Sequence, residues 1–345
     1  MCNIAGYVGS RDATPILLKM IKIQEGFNGG FFSGLAVHNG ETIHYRKKMG
    51  DFATLLRESD AADLSGKMGI IHSRTPSGGD GTWAHPFVSE RGGEVKLCYV
   101  ANGGPGLFQD RQAEGNCIAN ALQDGGFDIP CKLNLPEDAY CRLADGSSVH
   151  MSDVMCQLIY KYKMSGMDTV EAMTAAFCEM PSEIVGLAME KDAPDKIFFS
   201  RINYPMFVAF DDTGAYLASS PIAFPEHVKE YRLLPALSSG VVYRDRCEVV
   251  KYPNSSIKVR GFNRRTVQKA RAVILERLSL GEHGFVDMTR AFQAYLPKKE
   301  LIQLDAIVYM ALYELLTEGK ISMRSSEWTV NGQTAPHTLF RCSEL

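Results

Sequence analysis

The chain has 345 residues, 45% hydrophobic and 22% charged, with a formal net charge of -3 and a pI near 6.3. That length and apolar content suit one large soluble domain or two smaller ones, and the weak charge gives no bulk reason for nucleic acid or an anionic membrane as partner. No apolar run approaches the roughly 20 residues of a membrane span, and the start of the chain lacks the basic and apolar parts of a signal peptide. The 9 cysteines are scattered without CxxC pairs, which suggests reduced thiols in a cytoplasm. Histidines are equally dispersed, with no HExxH, so no metal and no cofactor are expected.

The first stretch, Met1-Cys2-Asn3-Ile4-Ala5-Gly6-Tyr7-Val8-Gly9, carries the sharpest chemistry. Removal of Met1 leaves Cys2 with a thiol and a free α-amine on one residue. A thiol near pKa ~8.5 needs a base, and an α-amine of pKa about 7.7 to 8.0 can serve. Ile4 to Val8 reads as a buried strand presenting Cys2 at the end of a sheet. An incidental cysteine on a core strand is the alternative reading.

Thr14-Pro15 and the spacing of Ile16, Leu17, Met20, Ile21 and Ile23 predict a helix ending at Gly26. A glycine-dense stretch, 27–34, leads into Leu35-Ala36-Val37, a turn at 38–41 and a strand from Thr42 to Arg46. A short helix, Asp51 to Arg57, precedes the strand Met68-Gly69-Ile70-Ile71, which runs into His72-Ser73-Arg74-Thr75-Pro76-Ser77. The strand Val95 to Val100 runs into Ala101-Asn102-Gly103-Gly104. Polar, glycine-rich loops after buried strands are where a scaffold presents chemistry. Residues 109–149 are polar and poorly periodic, and read as a long loop or lid with at most a short helix at Ile118 to Leu122. Val154 to Tyr162 and Val170 to Phe177 read as amphipathic helices. Strands follow at 184–189, 197–200, 206–210, 215–219 and 241–243, with turns at Asp211-Asp212 and Ser239-Gly240. This order indicates an α+β fold with antiparallel sheets. Composition shifts near Asn254-Ser255-Ser256. Helices are expected from Asn263 to Leu278, from Asp287, and from Lys298 to Glu318, with a strand pair around Asn331-Gly332. Helices followed by a two-stranded ribbon resemble a winged helix.

Cys2-Asn3-Ile4-Ala5-Gly6, His72-Ser73-Arg74 and Ala101-Asn102-Gly103 together resemble class II glutamine amidotransferases, which are N-terminal-nucleophile hydrolases. The likeness is to the glutaminase domain of glutamine-fructose-6-phosphate amidotransferase and extends, with gaps, over residues 2 to about 255. Ser33-Gly34-Leu35-Ala36-Val37, His85-Pro86, Asp195-Lys196 and Tyr216-Leu217-Ala218-Ser219 add to it. The resemblance implies a four-layer αββα fold over 2–255, a separate module over 256–345, and attack of Cys2 on a glutamine side-chain amide. Ammonia leaves, and water releases glutamate from a thioester.

On that reading Asn102 and Gly103 supply oxyanion donors, each worth about 3 kcal/mol of barrier; an Asn-Gly β-turn is the local alternative. Arg74 forks onto the substrate α-carboxylate, or makes a structural salt bridge. Thr75 and Ser77 add hydroxyl donors, or are solvated loop residues. Three departures bear on the substrate. Asn3 stands where the family has glycine, tolerable if that position needs positive φ. Asn28 stands where the family commonly has arginine. The helix-opening Ser-Asp-Thr-Glu, whose Asp binds the substrate α-amine, is altered: one register places Met151 at that Asp and Asp153 at the Glu, and a shifted one matches Ser152-Asp153 to Ser-Asp. Asp153 is therefore either a substrate-amine ligand or a first-turn carboxylate on the helix dipole.

The roughly 90 residues after 255 are too few for a sugar isomerase domain, so the ammonia-accepting synthase is expected on another chain. The C-terminal module could dock that synthase, form a homo-oligomer, or bind DNA. DNA ranks last because its charge is mixed. A different amide as substrate, or a regulatory protein that kept the fold without the chemistry, are the competing functions.

Overall fold

The structure is a computed structural model that describes residues 2–135, 141–253, 256–296 and 301–343. The chain opens with β1 (Asn3–Gly9), α1 (Ala13–Asn28), β2 (Phe32–His38), β3 (Ile43–Met49), α2 (Phe52–Arg57) and β4 (Met68–Arg74). Next come β5 (Phe87–Arg91), β6 (Glu94–Gly104), α3 (Gln112–Asp124), β7 (Cys141–Arg142), β8 (Ser148–Val149), α4 (Met151–Met164) and α5 (Thr169–Glu179). A run of strands follows: β9 (Glu183–Glu190), β10 (Lys196–Arg201), β11 (Phe207–Asp211), β12 (Gly214–Ala218), β13 (Tyr231–Leu233), β14 (Ser238–Tyr243) and β15 (Cys247–Lys251). The chain closes with α6 (Arg264–Leu278), β16 (His283–Gly284), α7 (Phe285–Gln293), α8 (Leu304–Thr317), β17 (Ile321–Val330) and β18 (Gln333–Cys342).

Among the described residues, seven strands form one antiparallel sheet in the order β13-β11-β12-β1-β4-β2-β3, and six form another, β15-β14-β10-β9-β6-β5. Strand alternation explains their stacking. Ile4 and Val8 of β1, Ile70 of β4 and Leu217 of β12 meet Val100 of β6 and Leu187 of β9 in one apolar layer. The opposite faces are covered by helices. Ala5 and Tyr7 join Leu17 and Ile21 of α1, while Tyr99 and Ala101 join Val154 and Leu158 of α4 and Met173 of α5. The result is a four-layer α+β sandwich.

The helices of the C-terminal segment are packed on the first of these outer layers. Val267 and Ile274 of α6, Met288 of α7 and Ile307, Tyr309 and Leu312 of α8 belong to the same buried cluster as α1. Strands β16, β18 and β17 form a small sheet in that order. The boundary expected at Ser255 and the helix start expected at Lys298 fall outside the described residues. No helix among them is long and apolar enough to cross a membrane.

Two glycine expectations are corrected for the same reason. Gly26 lies inside α1, which continues to Asn28; a Cβ at Gly26 would sit 2.4 Å from Thr338 Oγ1, so the glycine admits β18 against the helix. Ser239-Gly240 lies within β14, not in a turn: a Cβ there would stand 2.0 Å from the Glu248 carbonyl oxygen. Residues 112–124 form a full helix. Its inward stripe, Gly115, Ala119 and Leu122, is too small to register as apolar periodicity.

Candidate active site

Cys2 precedes β1, the strand flanked by β4 and β12. Asn3 pairs with Ser73 and Ile4 with His72, so the register brings the end of β4, with Arg74 and Thr75, beside Cys2. β6 passes behind, with Asn102 opposite Val185 and Gly103 opposite Ile184 on β9. Asn102-Gly103 therefore lies within a strand, which excludes the turn reading. The N-terminus of α4 and the segment carrying His85 complete a cavity of about 210 Å³ lined by Cys2, Arg74, Thr75, Ser77, His85, Gly103, His150, Met151 and Ser152 among others.

The thiol of Cys2 is buried and lies 3.8 Å from Thr75 Oγ1, which donates in turn to Ser77 Oγ at 3.2 Å. Burial alone would raise the thiol; the hydrogen bond and charge of His72 outweigh it and hold Cys2 down at about 6. His72 is fully buried, with Nε2 2.9 Å from the Ala101 carbonyl oxygen. A carbonyl only accepts, so Nε2 carries a hydrogen, and Nδ1 is the ring atom left to face the thiol. The His72 ring stacks on His85 at 3.8 Å, and His85 meets His150 edge-on at 5.3 Å. Burial and neighbouring positive groups push both His85 and His150 well below the usual histidine range, so both are neutral.

Arg74 is 2% exposed, and its guanidinium donates to the carbonyl oxygens of Gly78 at 2.8 Å and Ser77 at 3.4 Å while lying 4.5 Å over the Phe32 ring. A buried cation held by the loop is a fixed anion anchor. Asn102 is fully buried, and neither its Nδ2 nor its Oδ1 has a hydrogen-bond partner. By alternation with Cys98 and Val100 it points into the layer between the sheets, the side to which Cys2 belongs by alternation with Ile4. A buried amide without partners is costly unless something it binds completes it.

Asp153 is not among the residues lining this cavity. His150 caps α4, Met151 is its first residue, and Asp153 sits in the third position facing inward. Burial raises its carboxyl to about 6, against hydrogen bonds from Cys131 and from Gln157, whose Nε2 donates to Oδ1 at 3.1 Å. The cavity wall has Met151 and Ser152 instead.

No protein-family profile matches the chain. Curated relatives include the glutamine–fructose-6-phosphate aminotransferases of Bacillus spizizenii, 28% identical over 233 residues, and of Caldanaerobacter subterraneus, 26% identical over 253. These cover 67% and 72% of this chain but only 34% and 36% of the relatives, so the match spans about a third of their length. Among solved structures, the glutamine phosphoribosylpyrophosphate amidotransferase of B. subtilis superposes with a TM-score of 0.59 at 14% identity, over 80% of this chain and 58% of that one. The chain is a homologue of glutamine amidotransferases.

Within that amidotransferase fold, Asn3 is not at a positive-φ position; it lies in β1, and its Oδ1 accepts a 3.5 Å hydrogen bond from Tyr309 of α8. Asn28, at the end of α1, lines a different cavity, shared with α7 and α8. In the sequence His72 and His85 figure only as motif letters, and His150, Tyr204, Asp305 and Tyr309 do not stand out. The histidines had a signal, since His72 precedes Arg74 on one strand, but their stacking depends on the segment after β4 folding back. Asp305 and Tyr309 had none, because they reach the site from the far end of the chain.

Proposed function

We propose that this chain hydrolyses a glutamine-type side-chain amide through a thioester on Cys2, releasing ammonia. The observation that carries this reading is the meeting of a low-pKa buried cysteine and an anchored arginine on one cavity, with Gly103 on its wall and the unpartnered buried Asn102 next to it in β6. Arg74 receives the substrate carboxylate, with Thr75 and Ser77 beside it. The Cys2 sulfur attacks the amide carbon. Asn102 Nδ2 and the Gly103 N–H stabilise the oxyanion, ammonia departs, and water cleaves the thioester. Two bases stand by the thiol, the α-amine that Met1 removal exposes and the Nδ1 of His72.

The reading keeps residues 2–255 as the amidotransferase-like domain and 256–345 as a winged-helix-like module, supported by the strand order β16-β18-β17 behind α6, α7 and α8. It hands the ammonia to an acceptor synthase domain or chain, with the C-terminal module as docking or homo-oligomer surface, in a cytoplasm whose reducing conditions suit nine scattered thiols.

Intact-mass analysis with 6-diazo-5-oxo-norleucine tests this directly. The expected result is loss of Met1 and one adduct mapped to Cys2; a processed Cys2 that stays unlabelled overturns the glutamine assignment. A second reading, favoured by Met151 on the wall where an amine ligand is needed, is an amide substrate without an α-ammonium. Glutaramate, which is glutamine lacking that group, decides between them: a kcat/KM at least tenfold above that of glutamine selects the second.

A further inference from the structure

A cavity of about 700 Å³ adjoins the Cys2 cavity. Tyr204 lines both, and neighbouring residues of β9 divide between them, Ile184 on the Cys2 side and Glu183 on the larger side. Its walls come from both parts of the chain: Asn28, Glu183, Asn203 and Tyr204 from the sandwich, and α7 with the start of α8, including Asp305, from the C-terminal segment.

The wall is built, not incidental. Arg201 is fully buried and ties its parts together, donating to the carbonyl oxygens of Tyr204 at 2.5 Å and Asn203 at 3.0 Å and to Gln303 Oε1, beside α8, at 2.6 Å. Asn203 is 1% exposed; its Nδ2 donates to Glu183 Oε1 at 2.9 Å and to the Ile302 carbonyl oxygen, while its Oδ1 has no partner. Two carboxylates, Glu183 and Asp305, stand here against a single exposed guanidinium, Arg290, among the described residues. Burial raises the Asp305 carboxyl to about 6 against the pull of the chain's own N-terminal ammonium, and the Glu183 carboxylate adds a smaller upward push. Acceptors thus dominate, the reverse of the arginine-anchored Cys2 cavity. A phosphorylated or carboxylated acceptor is repelled by such a wall, whereas an alkylammonium is drawn to it and finds a proton acceptor there.

We propose that this cavity binds a small primary amine, which takes the acyl group from the Cys2 thioester in place of water. The proposal rests on the thioester reading above. The bound ammonium gives one proton to the Asp305–Glu183 pair. The neutral nitrogen attacks the thioester carbonyl, the C–N bond forms, and the C–S bond breaks. The second nitrogen proton goes to the departing Cys2 thiolate. The products are an N-substituted amide and free thiol, with ammonia already released from the donor.

The test incubates the full chain with ethylamine and either glutamine or γ-glutamyl-p-nitroanilide, scoring ethylamide and glutamate by mass spectrometry. p-Nitroaniline release reports Cys2 acylation independently of glutamine. The expected result is γ-glutamylethylamide, with the ratio of ethylamide to glutamate falling at least tenfold in both D305N and E183Q. The ratio is internal to each variant, so it is read whatever the overall rate. Glutamate alone at saturating ethylamine overturns the proposal, as does an unchanged ratio in the two variants. Turnover of the anilide but not of glutamine removes the glutamine reading while the ratio still judges the amine site; acylation by neither donor removes both.

Discussion

The two cavities that share Tyr204 differ in charge, in size and in how they are made. The Cys2 cavity is small, anchored by a buried arginine, and formed by strand ends brought into register by the sheets. Its neighbour is over three times larger, lined by carboxylates, and closed by helices from the last quarter of the chain. One suits a carboxylate-bearing donor and the other a cation. Tyr204 lines both cavities and consecutive β9 residues divide between them, so the two contrasting linings lie side by side.

The largest expected effect breaks both cavities at once. Cys2→Ala should lower hydrolysis and transfer by at least about a thousandfold, because both pass through the thioester, while the melting temperature moves little. Steady-state assays with thermal melts check this. Asn102→Ala should cost about a hundred- to a thousandfold in kcat for both products equally, since the oxyanion forms on either route. An unchanged product ratio in that variant, against a changed one in D305N, would sharpen the division of labour between the cavities.

A narrower prediction concerns the small cavity alone. His72 holds the Cys2 thiol down against burial, so thiolate should appear as pH rises through about 6 in the wild type. His72→Gln should move the inflection to an ordinary thiol's ~8.5 or above, slowing iodoacetamide alkylation at pH 6.5 roughly fiftyfold. An unmoved inflection would assign the thiolate to another base.

The smallest effect is on stability, in the support behind Arg74. Glu25 is buried under Ser73, accepts from the Phe52 N–H at 3.0 Å and the Ser73 hydroxyl at 3.1 Å, and is raised by burial to about 7 from an ordinary 4.5. The folded chain keeps this proton up to about pH 7 while the unfolded chain releases it near 4.5. Stability from this group is therefore full below about 4.5 and is lost as pH rises towards 7. Melting temperatures between pH 5 and 8 should fall in the wild type and flatten in Glu25→Gln, with a gain on the order of 2 kcal/mol at pH 8.

Much of the small cavity is legible in the sequence. Cys2, Arg74, Thr75, Ser77 and Gly103 each belong to a short motif and converge on one wall, because each sits at the end of a strand whose apolar alternation is plain. The place of Asp153 is not legible: two registers of α4 differ by two residues, and only the tertiary structure sets Met151 and Ser152, and not Asp153, on the cavity wall. Glycines mislead for a related reason. Gly26 and Gly240 read as ends of elements, yet both are internal positions where another chain segment approaches too closely for a Cβ.

By itself the sequence determined the antiparallel strands and a cysteine before the first of them, through local periodicity, and its resemblance to glutamine amidotransferases implied the sandwich and the arginine beside that cysteine. Only the tertiary structure decided that His72, His85 and His150 stack behind the thiol, and that α8 reaches the N-terminal strand through Tyr309 and Asn3. It alone placed Glu183 and Asp305 in one cavity wall. These pairs are separated by tens to hundreds of residues, and nothing in local propensity encodes a contact that arises from closing so long a loop onto a shared core.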